Sequence, residues 1–149
     1  MPDRKTMERA AEDRREGKAP STQAGEFVRE EMHHIREGKH GAASAKQAIA
    51  IGLSKARRAG VKLPPPKKGA ASAKTRKSAA RATAVGAKKT KPSRRRSQAT
   101  RSALKRQGRS AASKTALARQ ARSAARKRGA GARSAAARRA AKTRAARTR

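Results

Sequence analysis

The sequence is notable first for what it lacks. It contains no cysteine, tryptophan or tyrosine, and Phe27 is its only aromatic residue. Without cysteine it can form neither a disulfide framework nor a thiolate metal site. Only 14 of the 149 residues are large aliphatic residues, methionine or phenylalanine. We therefore expect no large hydrophobic core.

Acidic residues are missing from most of the chain. All nine aspartates and glutamates lie between Asp3 and Glu37, where basic residues nearly balance them. Residues 38–149 contain 35 lysines and arginines and no acid, so they carry almost the whole formal net charge of +34. The sequence therefore describes a nearly neutral head followed by a polycation.

Long apolar runs are absent too. The N-terminal residues have no apolar segment of the kind that a signal peptide needs, and no stretch approaches the roughly 18 apolar residues of a membrane span. These absences predict a cytoplasmic protein without a membrane span.

Composition divides the chain into three parts. Residues 1–63 hold most of the large apolar side chains and are predicted to form a helical head. The three prolines at residues 64–66 favour polyproline II and predict a stiff spacer. Residues 67–149 are rich in alanine, lysine and arginine and are predicted to be an intrinsically disordered tail with helix-forming potential. The expected fold class is mostly α.

The head is predicted to contain a helical hairpin and an N-terminal helix. The first helix covers about residues 3–16, is polar on every side and ends at Gly17. The second follows residues 20–22 and ends at Gly38, and the third begins at a capping box at residues 44–47 and ends at Gly60. Helical spacing of apolar residues predicts that the second and third helices pack together. The residues predicted to pack the head are Phe27, Val28, Met32, Ile35, Ile49 and Leu53.

Two stretches of the tail, residues 110–128 and 132–147, have the composition of helices. Alanine and arginine favour a helix, but like charges one turn apart repel each other. We therefore expect these stretches to become helical only when a partner neutralises their charge.

The charge of the tail indicates a nucleic-acid partner. Duplex DNA carries one negative charge per 1.7 Å, and arginine, which outnumbers lysine in residues 67–149, binds phosphate through two hydrogen bonds. Because zinc-finger cysteines and an aromatic stacking platform are absent, we expect histone-like, sequence-nonspecific binding that compacts DNA, with duplex DNA favoured over RNA and the protein associated with the nucleoid. The predicted contact residues are Lys46, Lys55, Arg57, Arg58, Lys67, Lys68, Lys88, Lys89, Lys91, Arg94, Arg95, Arg96, Arg126, Lys127, Arg128, Arg138 and Arg139.

Two alternatives remain open. One is an RNA- or ribosome-associated basic protein. The other is an adaptor whose head docks on a protein or on a second copy of the chain, while the tail is an electrostatic anchor. No catalytic arrangement is indicated, so we do not expect an enzyme.

Glutamate and histidine recur at helical spacing in the second helix. Glu30 with His33, and Glu31 with His34, form two overlapping Glu-x-x-His pairs, a spacing found in di-metal helical bundles. Such a site also needs carboxylates from other helices, so we predict no metal site and no cofactor. His33 is expected on the exposed side of its helix and His40 in a simple loop.

Residues 23–63 resemble a small bacterial family of unknown function. The resemblance rests on the segment Glu26 to Met32 and on the Gly-Lys-His-Gly and Ser-Ala-Lys-Gln-Ala-Ile-Ala-Ile-Gly-Leu-Ser-Lys-Ala-Arg-Arg-Ala-Gly runs of residues 38–41 and 44–60. It implies a bacterial source and supplies no activity. The tail, with Ala-Lys-Lys-Thr-Lys-Pro at residues 87–92, is similar to linker-histone tails and to bacterial histone-like proteins rich in alanine, lysine and arginine.

Overall fold

A computed structural model of the chain describes residues 2–88 and 93–147. Within these ranges it is helical and contains no β-strand, which confirms the mostly α fold class. The helices are α1 (Arg4–Arg15), α2 (Pro20–Arg36), α3 (Ala45–Arg58), α4 (Ala73–Lys88), α5 (Arg94–Lys105) and α6 (Lys114–Arg147), with a 3₁₀ helix at Ser110–Ala112. The chain forms two compact units, Met1–Ser113 and Lys114–Arg149.

Glycines end the first three helices, as the sequence predicted. Gly17, Gly38 and Gly60 have φ values of 70°, 78° and 94°, which glycine adopts without steric cost. At each end the residue after the glycine donates its N–H to a carbonyl inside the helix, as Lys18 does to Asp13 at 2.8 Å. This arrangement is the Schellman motif.

Ser44 begins α3 as predicted. Its hydroxyl accepts a hydrogen bond from the N–H of Gln47 at 3.2 Å. The side-chain oxygen of Gln47 turns back to the N–H of Ala43 at 2.7 Å, one residue before the position that a capping box uses. Two hydrogen bonds, one accepted by the Ser44 hydroxyl and one by the Gln47 side chain, therefore stabilise the start of α3.

The predicted hairpin of α2 and α3 forms the centre of the first unit. Phe27 and Ala24 of α2 pack in one buried cluster with Ala56 of α3, and Leu53 packs against that cluster. Gly52 permits the close approach, because a Cβ atom at this position would lie 2.7 Å from the Cα atom of Val28. Phe27, Met32 and Ile35 are buried, while Val28, Ile49 and Leu53 are half-buried.

The first helix differs from its prediction. We expected α1 to be polar on every side, but it packs against α2 and buries Thr6, Ala10 and Asp13. Ala10 joins the cluster around Phe27. An alanine and a threonine among charged residues give too weak an apolar pattern to reveal this face from sequence.

The prediction of a disordered tail was wrong, because α4, α5 and α6 are helical. α4 lies beyond the three prolines and packs against α3, with Ala79 and Ala82 buried. A Cβ atom at Gly86 would collide with the carbonyl oxygen of Arg57, so this contact is close. Repulsion between like charges one turn apart costs only about 0.2–0.5 kcal/mol per pair. Alanine-rich helix propensity and packing on α3 outweigh it in α4.

The loop between α2 and α3 is joined to the end of α5 through backbone hydrogen bonds. Gly41 donates its N–H to the carbonyl of Leu104 at 3.0 Å, and Ala42 donates to Gly108 at 3.1 Å. The 3₁₀ helix that follows packs against α2 and α3, and Arg36 donates to the carbonyl of Ala112 at 2.9 Å. The first unit therefore extends to Ser113, well beyond residue 63, where the sequence predicted that the helical head ends.

The second unit consists of α6, which contains a break at Gly129. This glycine has φ 73° and ψ 165°, outside the helical region. It separates helical residues 114–128 from 130–147, close to the stretches 110–128 and 132–147 that the sequence marked as helix-forming. No helix in the described part of the chain has the long apolar stretch that is needed to cross a membrane.

A test of the α2–α3 contact compares two glycine-to-alanine substitutions. Gly52→Ala should lower the free energy of unfolding by about 1–3 kcal/mol, because its Cβ would overlap the backbone of Val28. Gly25 lies in α2, and a Cβ atom at this position would have open space around it. Gly25→Ala should therefore stabilise the protein by up to about 1 kcal/mol, because alanine has the higher helix propensity. Urea unfolding followed by circular dichroism measures both. Equal effects would contradict the close contact.

Candidate nucleic-acid interface

Exposed basic side chains line α6. Arg119, Arg122 and Arg126 follow one another at intervals of three and four residues and therefore share a face of the helix. Lys114 and Lys127 border the same surface depression. The predicted contact residues of this unit, which are all exposed, are Arg126, Lys127, Arg128, Arg138 and Arg139.

The first unit also presents exposed bases beyond residue 66. Arg94, Arg95 and Arg96 form the exposed first turn of α5. Lys67, Lys68 and Lys88 are exposed as well. The predicted contacts Lys89 and Lys91 lie outside the described residues. Since no acid follows Glu37, these bases have no acidic neighbour along the chain.

The four predicted contacts in α3 divide into two kinds. Lys46 and Arg58 are exposed, and Arg58 donates to the carbonyl and the hydroxyl of Ser54 in its own helix. Lys55 and Arg57 instead contact groups inside the first unit. Lys55 is half-buried and Arg57 is buried, so neither belongs to the exposed basic surface.

Arg57 anchors the segment that leads into the three prolines. Its side chain is buried, and it donates to the carbonyls of Leu63 and Pro64, each at 3.1 Å. Burial lowers the pKa of its guanidinium from the usual value, because desolvation disfavours the charged form. These two hydrogen bonds hold the chain against the C-terminal end of α3.

Lys55 lies between two buried carboxylates of α2. Its Nζ atom is 2.7 Å from Oε2 of Glu31 and 3.3 Å from Oε1 of Glu30. Glu31 is fully buried and Glu30 is 4% exposed. A buried carboxylate is costly unless an opposite charge lies close to it. Lys55 therefore serves to join α3 to α2.

Two histidines complete this cluster. His40 lies in the loop after α2, and its Nε2 atom is 3.3 Å from Oε1 of Glu31. His34 of α2 lies 3.2 Å from Oδ2 of Asp3 through Nε2 and 3.9 Å from Oε1 of Glu30 through Nδ1. The sequence pointed to the Glu31 and His34 pair but not to His40 or Lys55, because their proximity arises from the turn at Gly38 and from the packing of α3. His33 is exposed, as expected.

Adjacent arginines provide a test of this division. Arg57→Ala should lower the free energy of unfolding by about 1.5–3 kcal/mol, because two carbonyls lose a charged donor. Arg58→Ala should change it by less than about 0.5 kcal/mol, as is usual for an exposed side chain. Chemical unfolding of the two variants measures the difference. A larger effect at Arg58 would contradict the assignment.

Residues 18–68 match a family model described as a family of unknown function, DUF6496. Comparison with curated proteins and with solved structures gives no match. The matched range covers about a third of the chain, within the first unit. The finding confirms the expectation of similarity to a family of unknown function, while the histone-like character of the tail stays a prediction.

Proposed function

We propose that the protein is a sequence-nonspecific DNA-binding protein of histone-like character that neutralises phosphates and compacts duplex DNA. The observation that carries the proposal is the separation of charge along the chain. Residues 38–149 contain 35 lysines and arginines and no acidic residue. The basic residues of α5, and those of α6 up to Arg144, are exposed. When exposed lysines and arginines contact the phosphates of DNA, they release counterions condensed on the DNA, and this release drives binding.

The helical form of α5 and α6 supports contact with the duplex. A helix holds its side chains at fixed spacing, so arginines such as Arg119, Arg122 and Arg126 reach one row of phosphates without first ordering the chain. Ordering on binding would otherwise reduce the affinity. This is a revision of the expectation that neutralisation induces the helices.

Nonspecificity follows from the side chains present. Sequence is read by hydrogen bonds to base edges, commonly from asparagine, glutamine or arginine held at defined positions. The exposed faces of α5 and α6 are made of alanine, serine, threonine, lysine and arginine with few amides, which favours contacts to the backbone. Proteins that read sequence lose about 1–3 kcal/mol per mismatched base pair, and we expect no such loss here.

The acidic part of the first unit has a different role in this proposal. Some of its carboxylates pair with bases of the same region, as Glu26 does with Arg9 and Asp13 with Lys18. With nine acids and eight bases, residues 3–37 are nearly neutral. We therefore assign the DNA contacts to exposed bases in each unit separately. In the second unit these are the bases of α6, and in the first they are the bases of α5 together with Lys46, Arg58, Lys67, Lys68 and Lys88.

The proposed interface predicts a specific change in salt dependence. Replacing Arg94, Arg95 and Arg96 together by glutamine should reduce the slope of log affinity against log salt concentration by about 2–3, since each lost phosphate contact removes about 0.9. Fluorescence anisotropy with duplexes of unrelated sequence, between 50 and 400 mM NaCl, measures this slope. The same titration with single-stranded DNA and RNA compares the partners.

A matched control removes the same charge from the neutral region. Lys5, Arg14 and Arg15 are exposed residues of α1, and their replacement by glutamine should leave the slope nearly unchanged. Equal changes in the two triple variants would contradict an interface on α5. A preference for RNA of tenfold or more would favour the RNA-associated alternative, and a slope near zero for the unmodified protein would overturn the proposal.

A further inference from the structure

The cluster around Glu31 contains more negative than positive charge. Glu30 and Glu31 supply two buried carboxylates, and Lys55 supplies the one ammonium that contacts both. The side chain of Asp3 is 59% exposed, so water compensates its charge. Apart from the two histidines, the buried carboxylates therefore carry one negative charge more than Lys55 supplies, and a bound cation would offset it.

The hydrogen bond of His40 fixes the position of its ring hydrogen. Nδ1 lies 3.1 Å from the carbonyl oxygen of Gly41, and since a carbonyl only accepts, Nδ1 is the donor. In the neutral ring, Nε2 then presents its lone pair at 3.3 Å from Oε1 of Glu31. Two acceptors at this distance repel each other unless a proton or a cation lies between them.

A hydrogen bond also fixes the position of the ring hydrogen of His34. Its Nε2 atom lies 3.2 Å from Oδ2 of Asp3, and a carboxylate only accepts, so Nε2 carries the hydrogen. Nδ1 of the neutral ring therefore keeps its lone pair. Metal-binding histidines show this pattern: one nitrogen donates to a carbonyl or carboxylate and the other binds the ion.

Three potential ligand atoms lie near one another in this cluster. Glu31, His34 and His40 each offer a ligand atom, and these three atoms lie within 4.8 Å of one another. The ring centroids of His34 and His40 are 6.3 Å apart, slightly more than the roughly 5–6 Å expected when both rings bind one ion at about 2.0–2.1 Å, so ion binding would draw the two rings together. Neither carboxylate oxygen of Glu31 makes a hydrogen bond of good geometry, although both are fully buried.

We propose that Glu31, His34 and His40 bind a divalent transition-metal ion of the zinc type. Two imidazole nitrogens and one carboxylate oxygen form a donor set that suits Zn²⁺ or Co²⁺, whereas Mg²⁺ and Ca²⁺ prefer oxygen ligands alone. A divalent ion offsets the excess negative charge of the buried carboxylates. Lys55 contacts Oε2 of Glu31 at 2.7 Å, which leaves Oε1 for the ion, and Asp3 orients His34.

Protons compete with metal ions for imidazole nitrogens, so metal affinity depends on pH. Metal binding is therefore tested at pH 7.5.

The experiment uses the full-length chain, stripped with EDTA and desalted at high salt so that no chelator remains on the polycation. Zn²⁺ is titrated by isothermal calorimetry at pH 7.5 and 150 mM NaCl, and Co²⁺ binding is followed by its visible absorption. We expect one ion per chain. Glu31→Gln and His40→Ala should each weaken binding at least about 100-fold, and Asp3→Asn about tenfold, the range for a partner that orients a ligand.

His33→Ala is the matched control, because His33 is an exposed neighbour on the same helix and the chain contains three histidines in all. This variant should bind as the unmodified chain does. Circular dichroism checks that every variant retains its helical content, and Glu31→Gln keeps the shape of the side chain. Absence of Zn²⁺ binding at 100 μM, or binding that persists in both Glu31→Gln and His40→Ala, would overturn the proposal.

Discussion

The first unit depends on the close contact between α2 and α3. Gly52 of α3 brings its backbone against Val28 of α2, and the same interface holds Lys55 between Glu30 and Glu31. The remaining elements are added to this pair. α1 packs on α2, α4 packs on α3, and the 3₁₀ helix at Ser110–Ala112 touches both. A change that separates α2 from α3 would therefore disturb the contacts of the whole unit.

Shortage of apolar residues explains how this unit is held together. Alanine and glycine provide much of the interior, at Ala24, Ala48, Ala56 and Gly52, so the helices gain burial by approaching closely rather than by filling space with large side chains. Polar bonds supplement that packing. Arg36 reaches Ala112, and Arg57 reaches Leu63 and Pro64. A hydrogen bond from a charged donor such as buried Arg57 is worth about 1.5–3 kcal/mol, a substantial contribution beside the modest burial that alanine provides.

Local signals predicted local structure well. Gly17, Gly38, Gly60 and Ser44 fixed the ends of the first three helices, because a positive φ or a capping hydroxyl is needed at the place where it occurs in the chain. Contacts between distant residues were beyond such reasoning. The meeting of His40 with Glu31, and the hydrogen bonds from Gly41 and Ala42 to the end of α5, depend on how separate helices pack. The tail was misjudged because repulsion between its bases was weighted above the helix propensity of its alanines and above the packing of α4 on α3.

The break at Gly129 limits the length of straight helix in the second unit. An unbroken α6 of 34 residues would be a rod about 50 Å long at 1.5 Å per residue, longer than the roughly 34 Å in which a DNA groove completes one turn. A straight rod of that length diverges from a winding groove. The glycine divides it into pieces of about 22 and 27 Å, and each is short enough to follow one stretch of groove. In the proposed complex, α6 would follow a curved duplex by bending at Gly129, where its backbone leaves the helical region.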